Sequence, residues 1–330
     1  KPHGEYFQHI QKYIKSNFHA KTTRTGAPFY LIRAGVSNPK ACMDRVSHQE
    51  MLNYLLYHRE QMYIQVDEKT RKTGQIVKVI TINDFAHVSL FSGQEKRFMK
   101  ALQECSKMAE DFFPQLMGRA VMINMPSFIY SVFALMKSLL SKKTVAKIAF
   151  CPGSTATGDI TKCPFVKANF DIDAVPSFLG GTCKCKGGCM PGCSNEQSRA
   201  IDEEGEDGQI QKVVAARDKL VSVVEVEKDD VILWEIEVKD KGLEVNAILK
   251  VDGGNEINLL ETRKIKAEKQ QGSLTAPKAG VCVFTFDNSY SYVNSKSVKY
   301  RIERTSVSDL GVTNKTSDDI QDGLSKMQIS

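Results

Sequence analysis

Recognisable catalytic motifs are missing from this 330-residue chain. It has no His-Glu-x-x-His pair, no Walker phosphate loop and no Gly-x-Ser-x-Gly nucleophile turn. The six histidines are scattered, and the sequence pairs none of them with a cysteine nucleophile. We therefore expect that the protein is not an enzyme.

Long apolar runs and a strong excess of one charge are also missing. Charged residues make up 25% of the chain, the net charge is only +6, and no nucleic-acid-binding motif is present. No segment has the length of a membrane span, and no signal peptide, stop-transfer segment or lipidation box is visible. We expect a cytoplasmic protein with no nucleic-acid partner. The chain is long enough for two domains, each with its own core.

The most informative segment runs from Phe112 to Lys147. A short apolar strand at about residues 120–124 is followed by Pro126 and an apolar helix over residues 127–140. Apolar residues recur there at i, i+3, i+4 and i+7, which is typical of one broad helix face. Two interpretations fit this pattern: a buried core helix, or a helix that covers a cavity and meets lipid when it moves.

Four ordered motifs resemble the CRAL-TRIO lipid-binding domain, the fold of phosphatidylinositol/phosphatidylcholine transfer proteins and of tocopherol and retinal carriers. The motifs are KTTRTGAPFYL (21–31), VKVITIND (77–84), the block from FFPQLMG to KTVAKI (112–148) and AVPSFLGG (174–181). Ala27 departs from the usual pattern, which has Arg there. The resemblance covers about residues 5–185 and implies an α/β domain. Its mostly parallel sheet would form the floor of an apolar pocket, with helix 127–140 as the gate.

The same resemblance implies a lipid headgroup site. The phosphatidylinositol-binding signature of the family has Thr and Lys at Thr144 and Lys147, and Glu where this chain has Gln115. On the strand leading to Asp84, Thr81 keeps one hydroxyl of the choline-binding pattern, and Val79 replaces another. We predict headgroup contacts from Thr144, Lys147, Gln115 and Thr81, with bound lipid as the ligand and no cofactor. Val79 equally suits a neutral lipid such as a sterol or tocopherol.

The gate helix and the lysines beside it predict contact with a membrane. The residues that we assign to the pocket and gate are Val79, Phe128, Val132, Phe133, Met136 and Leu140. Lys137, Lys142 and Lys143 lie at the helix, and each lysine near an anionic surface adds about 1 kcal/mol of attraction. We expect reversible, peripheral docking on Golgi, endosomal or plasma membranes. A solvated helix end explains Lys142 and Lys143 equally well.

The second half of the chain alternates apolar and polar residues, as β-strands do. We predict strands at residues 220–227, 231–239, 244–251, 281–287 and 297–303, in an antiparallel sandwich. Trp234 and the run GVCVFTFDNSYS (280–291) resemble a GOLD domain. A CRAL-TRIO domain followed by a GOLD domain is the arrangement of patellins and of supernatant protein factor and its relatives. That arrangement allows another function, a lipid-sensing adaptor whose GOLD domain recruits a Golgi or vesicle-trafficking protein.

These patterns define the expected domain boundaries. We assign residues 1–199 to the CRAL-TRIO lipid-binding domain and residues 213–304 to an all-β GOLD sandwich. The acidic stretch IDEEGEDG (201–208) lies in a predicted linker at residues 200–212. Residues 305–330 are rich in Ser, Thr and Asp, and we expect them to be disordered.

Four of the nine cysteines fall in the short run GGTCKCKGGCMPGC (180–193). Their spacing is not a standard zinc pattern, so we favour a structural loop with free thiols and assign no metal. A zinc site and a disulfide are the alternatives. We interpret the remaining five as small packing residues: Cys42, Cys105, Cys151, Cys163 and Cys282.

Overall fold

The protein is described here by a computed structural model. It describes residues 4–88, 90–91, 95–137, 142–151, 159–186, 188–190, 208–239, 242–266 and 269–306. Residues 200–207 of the predicted linker and residues 307–330 of the predicted tail lie outside these residues, as do Leu140 and Cys193. The domain boundaries therefore stay a prediction.

The first half of the chain forms a five-stranded sheet with the strands in sequence order. The first pair is antiparallel and the remaining pairs are parallel, so the expected mostly parallel sheet is confirmed. The strands are β1 (Ser16–Thr22), β2 (Pro28–Arg33), β3 (Val79–Asp84), β4 (Met117–Ile123) and β5 (Ile148–Phe150).

Helices connect and cover these strands. They are α1 (Glu5–Tyr13), α2 (Pro39–Met43), α3 (His48–Thr73), α4 (Lys96–Phe112), α5 (Ser127–Lys137), α6 (Lys142–Val145) and α7 (Pro164–Asn169). Short 3-10 turns lie at Ala34–Val36, Ile172–Ala174 and Ser177–Leu179. The long helix α3 has clear end signals in the sequence: Ser47 and Glu50 form a capping box, and Gly74 ends it with a φ of 69°.

Each face of the sheet is buried by a different part of the chain. On one face, Tyr30 and Val79 pack against Met62 and Val66 of α3. On the other face, the core includes Leu31, Ile82 and Val121 together with residues from the segment after β5. Strands buried on both faces read as continuous apolar runs, which is why β2 and β4 show little alternation.

One expectation for the cysteines is wrong. Cys151 and Cys163 are buried in the second of these cores, but they are joined by a disulfide with a Cα–Cα distance of 5.6 Å. They are therefore linked and not merely small packing residues. Cys42, Cys105 and Cys282 are buried free thiols, as predicted.

The second half of the chain forms two antiparallel four-stranded sheets with strand orders β10-β9-β12-β7 and β11-β8-β13-β6. All five predicted strands are present, and three more were not predicted: β6, β10 and β11. The strands are β6 (Ile210–Val214), β7 (Lys219–Val226), β8 (Val231–Val238), β9 (Leu243–Lys250), β10 (Glu256–Ile265), β11 (Lys269–Thr275), β12 (Gly280–Asp287) and β13 (Lys296–Thr305).

The sandwich core fills the space between the two sheets. Trp234 and Ile236 of β8 meet Val245 of β9 and Phe284 of β12 in one buried cluster. Gly272 leaves room for the indole ring, because a Cβ atom at that position would lie 2.7 Å from a ring carbon of Trp234. Strand β8 is also buried on its outer face, where Val231 and Leu233 contact the first domain.

Candidate functional site

The sheet face that carries Val79 and Thr81 becomes less buried toward the carboxyl ends of the strands. Tyr30, Thr81 and Ala120 are in register across β2, β3 and β4, and all three are buried. Two residues further along, the row consists of Ile32, Asn83, Met122 and Phe150. The first three are half-buried, and Phe150 is exposed. We call these four residues the open row.

Helix α5 lies beside this open row. The ring centroid of Phe133 is 4.8 Å from that of Phe150, in an edge-on contact. The Tyr130 ring also contacts Phe150, with a centroid distance of 5.6 Å. The predicted helix is thus present, although the described part ends at Lys137. It is placed where it can cover the end of the sheet.

The opposite side of α5 packs against the sandwich. Phe128 of α5 is buried in a cluster with Leu90, Val231 and Leu233, and Ile129 and Val132 lie against the same cluster. The Ser273 hydroxyl of β11 donates a hydrogen bond to the Ser131 hydroxyl at 2.9 Å. Phe128 and Val132 therefore lie at the contact between the two halves of the chain, and Phe133 at the sheet edge. Their role in a lipid pocket stays a prediction.

Three of the predicted headgroup residues lie at the amino ends of β4 and β5. Gln115 is exposed and precedes β4 by two residues. Lys147 directly precedes β5, and its carbonyl accepts a hydrogen bond from the Ala120 amide. The Lys147 amide in turn donates to the Thr144 carbonyl at 3.0 Å. Because β4 and β5 are parallel, these residues lie at the same edge of the sheet, the one formed by the amino ends of the strands.

Two cations at this edge were missed by the sequence reasoning. The Lys78 ammonium donates to the Gln115 side-chain oxygen at 2.7 Å. The Arg119 guanidinium donates to the Ala146 carbonyl at 2.9 Å, which ties β4 to the segment before β5. Lys78 and Arg119 both lie within motifs of the family resemblance. Strand register is the signal that would have identified them, because it places each beside the neighbouring strand. Together with Lys147 they make this edge basic.

Thr81 and Val79 lie further inside the sheet. Val79 is packed in the core against α3, and Thr81 is buried. The Thr81 hydroxyl lies 3.5 Å from the Arg119 carbonyl and 3.4 Å from the Asn83 amide nitrogen, which donates to it. Thr81 is thus buried whereas Gln115 is exposed, so the two side chains do not form one polar surface.

The predicted membrane lysines are on the surface. Lys137, Lys142 and Lys143 are all exposed, the first on α5 and the others on α6. The backbone of Met136 belongs to α5, but its side chain lies outside the described part of the structure. None of the helices in the described part of the chain combines the length and apolar character needed to cross a bilayer.

A buried polar network closes the carboxyl ends of β2, β3 and β4. The Arg33 guanidinium lies 3.3 Å from the Asp84 carboxylate, and both side chains are buried. The Asn124 amide donates to the same carboxylate at 2.9 Å, and the Ala86 amide does so at 3.0 Å. Because the carboxylate is paired and hydrogen-bonded, it holds three strand ends together, and its role is structural.

A separate cleft of about 460 Å³ lies between α1, β1 and α3. Its lining includes Gln8, Gln11, Gln61 and Gln65 beside Tyr57, so it is largely polar. His58 also lines it, and burial lowers the pKa of this histidine to about 4. The cleft is not the apolar pocket that the sequence predicts.

Comparison with protein families identifies the first domain. The CRAL/TRIO domain matches residues 12–181, just over half of the chain. The chain belongs to this family. The resemblance drawn from the motifs is thereby confirmed for the lipid-binding domain, including its α/β fold.

Relatives of this CRAL/TRIO protein are named as transfer proteins and cytosolic factors. The chain is 27% identical over 189 residues to "Sec14 cytosolic factor" of Schizosaccharomyces pombe, covering 57% of this chain and 63% of that protein. It is 24% identical over 190 residues to "Phosphatidylinositol/phosphatidylcholine transfer protein SFH11" of Arabidopsis thaliana, covering 56% and 48%. The chain thus spans between about half and two thirds of the length of these relatives.

The solved structures add little to this assignment. One of them, "Crystal structure of Sfh5", has a TM-score of 0.29 and 17% identity, covering 43% of this chain and 47% of that chain. That likeness is too low to support an argument.

The family has two consequences for the predictions. The CRAL/TRIO match agrees with the prediction that the chain is not an enzyme. The match ends at Gly181, before the sandwich begins. The second half is established as antiparallel β-structure, and its GOLD identity stays a prediction.

Proposed function

We propose that this CRAL/TRIO protein binds one phospholipid between the open row of the sheet and α5, and transfers or presents it at membranes. The observation that carries the proposal is the contact of Phe133 with Phe150, because it sets an apolar helix over the less buried end of this sheet face. Acyl chains need apolar walls of this kind, with few polar groups. The names of the relatives support lipid binding.

Phosphatidylinositol is the ligand that we favour. Its phosphate needs cations and hydrogen-bond donors in a setting from which water is partly excluded. Lys147 is half-buried, Thr144 lies one turn away, and Lys78 and Gln115 add an ammonium and an amide at the same edge. Among the described residues Lys147 makes no ion pair, so its charge remains available to a ligand. Thr81 is the remaining predicted contact and would act only if the lipid reaches into the sheet.

We further propose reversible docking on a membrane through α5 and α6. The exposed Lys137, Lys142 and Lys143 would attract anionic lipids, and the apolar face of α5 would supply the gate. On this proposal the protein is cytoplasmic and visits Golgi, endosomal or plasma membranes. Two relatives named as cytosolic factors agree with this location.

The sandwich fits a GOLD domain, and we propose that identity. The run from Gly280 to Ser291 forms β12 and the turn after it. There the side-chain amide of Asn288 donates to three carbonyl oxygens. These bonds include the carbonyls of Val214 and Asn294, so Asn288 links β6 to the start of β13. The characteristic Asp-Asn-Ser-Tyr run therefore has a structural role in this sandwich.

The deciding experiment is to incubate the purified chain with mixed lipids, re-isolate it and identify bound lipid by mass spectrometry. One phospholipid per chain, enriched in phosphatidylinositol, is the expected result. A sterol or tocopherol at that stoichiometry would assign the pocket to a neutral lipid. Recovery of the chain without any lipid would contradict the carrier function.

An adaptor function is the second candidate, and one observation favours it. Val221 and Val223 of β7 are exposed, and β7 is an edge strand of its sheet. An edge strand with exposed apolar side chains can pair with another chain. Val223→Lys should then abolish capture of a Golgi or vesicle protein and leave lipid loading unchanged. If the Val223→Lys variant and the unmodified chain capture the same proteins, β7 is not the recruiting surface.

A further inference from the structure

Three cysteine thiols and one histidine ring meet at the end of the CRAL/TRIO domain. The ligand atoms of His19, Cys183, Cys185 and Cys189 all lie within 4.8 Å of one another. The Cys185 sulfur lies 3.2 Å from that of Cys183 and 3.6 Å from Nε2 of His19. Cys185 is half-buried and the other three residues are buried.

The backbone brings the thiols to one side of their loop. The Cys183 amide donates to the Val175 carbonyl at 3.0 Å, which fixes the start of the loop. The Gly188 amide donates to the Cys185 carbonyl at 2.9 Å, and Gly188 has a φ of 89°. This left-handed turn, which favours glycine, returns the chain so that Cys189 lies beside Cys183.

His19 reaches the cluster from β1, the edge strand of the sheet. Its ring stacks on Phe29 with a centroid distance of 4.6 Å, so its orientation is held by packing. No sequence pattern connects His19 with the cysteines, because 166 residues separate it from Cys185. The sheet register alone brings the fourth ligand to the loop.

We propose that these four residues bind one zinc ion as a structural site. Three thiolates and one imidazole are a donor set of structural zinc sites, with Zn–S bonds of about 2.3 Å and Zn–N bonds of about 2.0 Å. Tetrahedral coordination with these bonds separates ligand atoms by roughly 3.5 to 3.8 Å. The distances of 3.2 and 3.6 Å in the cluster need only small adjustments to match.

The surroundings suit the charge of such a site. Zinc with three thiolates and a neutral imidazole carries one net negative charge. The Lys21 ammonium, which also pairs with Asp173, lies near enough to Cys183 and Cys185 to interact electrostatically with both, and the exposed Lys184 and Lys186 flank Cys185. The His19 side chain is buried, and a metal binds the neutral form of the ring.

Coordination would change one hydrogen bond and release protons. The Lys21 amide donates to Nδ1 of His19 at 3.1 Å, which puts the ring proton on Nε2. Zinc at Nε2 would require the proton on Nδ1 instead, and this contact would be lost. One hydrogen bond is much weaker than coordination to zinc, so the exchange is favourable. The three thiols would release their protons to solvent as the Zn–S bonds form.

The zinc would fasten the loop that ends the lipid-binding domain to the free edge of its sheet. The first test is metal analysis of the full chain, purified in reducing buffer and dialysed against a weak chelator. We expect one zinc per chain. Replacement by cobalt should give the absorption bands of thiolate-bound tetrahedral cobalt. A reduced chain that takes up neither metal, or a chain with Cys183 and Cys185 oxidised to a disulfide, would overturn the proposal.

Variants then assign the ligands. Loss of a hydrogen bond that only orients a ligand already lowers metal affinity by about 10- to 100-fold. We therefore expect His19→Gln and Cys185→Ser each to lower zinc affinity at least that much. His48→Gln, at a half-buried histidine outside the cluster, and Cys282→Ala, in the sandwich, are the matched controls and should retain one zinc. Full zinc content in His19→Gln would show that the ion is bound elsewhere.

A structural readout follows from the exposed lysines of the loop. Trypsin should cut after Lys184 or Lys186 slowly in the zinc-loaded chain and at least about tenfold faster after chelation, because an unfastened loop opens more often. Restoring zinc should restore protection. Equal cleavage rates with and without zinc would overturn the structural role. If a ligand variant fails to fold, the cobalt spectrum and this cleavage test on the unmodified chain still decide the question.

Discussion

The hydroxyl of Ser273, in the sandwich, donates a hydrogen bond to the hydroxyl of Ser131, on the helix that we propose as the gate. The same helix buries Phe128 between Leu90 and Leu233. The helix that we propose as the gate is therefore also held from outside by the second half of the chain. Movement of this helix away from the sandwich would break these contacts, so on the proposed function the sandwich would set how readily the lipid exchanges.

Phe133→Asp should abolish lipid transfer between liposomes. A carboxylate at this position would replace the aromatic contact with Phe150 and place a charge against an apolar ligand. Ala134→Asp is the matched control, since Ala134 is exposed on the same helix and should tolerate the charge. Transfer by the Phe133 variant at the rate of the control would contradict the gate assignment.

Ser273→Ala should loosen α5 and speed lipid exchange. One hydrogen bond is lost at a half-buried contact, which costs about 0.5–1.5 kcal/mol. Hydrogen exchange of the α5 amides should rise by up to roughly tenfold, because a free-energy change of about 1.4 kcal/mol is a factor of ten in an opening equilibrium. Ser222→Ala, in β7 of the other sheet, is the control. Unaltered α5 protection would mean that the sandwich does not restrain the helix.

Lys147→Ala should lower affinity for phosphatidylinositol by about ten- to a hundredfold, the value of one charge-assisted hydrogen bond. Binding of an uncharged hydrophobic ligand should stay nearly the same. Lys142→Ala removes an exposed lysine nearby and should change pocket affinity little. Equal losses in both variants would indicate a general effect of charge and not a headgroup contact.

Gln115→Glu should strengthen binding of inositol lipids. It restores the carboxylate of the family signature, which would accept hydrogen bonds from inositol hydroxyls. The existing contact with Lys78 would become an ion pair, so the new carboxylate would interact partly with Lys78 and only partly with the lipid. Titration with phosphatidylinositol in the Lys78→Ala background separates the two effects. Weaker binding of Gln115→Glu in both backgrounds would count against a headgroup role.

The protein should lose stability in weak acid because of His58. Burial lowers the pKa of this histidine to about 4 in the folded state, against about 6.5 when unfolded. Between these values only the unfolded state binds the proton, so stability falls as pH drops through that window. From pH 7 to pH 5 the loss should be roughly 2 kcal/mol, a share that His58→Gln would remove.

This pH effect can be measured by denaturant unfolding at several pH values. Gln cannot titrate, but its side-chain amide can still donate a hydrogen bond to the Tyr30 hydroxyl, which lies 3.0 Å from Nδ1 of His58 and itself donates to the Ser16 hydroxyl. From pH 7 to pH 5 the unfolding free energy of the unmodified protein should fall by roughly 2 kcal/mol more than that of the His58→Gln variant. Parallel curves across this range would show that the pKa of His58 is the same in the folded and unfolded states.

Local patterns in the sequence determined much of the architecture. The apolar helix after Pro126, the strand from Val79 to Asp84 and five strands of the sandwich were all predicted, because helix and strand periodicities depend on neighbouring residues alone. Strands β6, β10 and β11 were missed. Their burial is partial, so their alternation is weak: most residues of β6 and β10 are exposed or half-buried.

Only the tertiary structure decided which residues far apart in the chain are in contact. The outer face of β8 is buried because α5 packs on Val231 and Leu233, which no local pattern in β8 reveals. Lys78 meets Gln115 because β3 and β4 are adjacent and parallel. His19 meets three cysteines because β1 forms the sheet edge next to their loop. A sequence specifies side-chain chemistry and local periodicity, but strand order and register select which distant side chains meet.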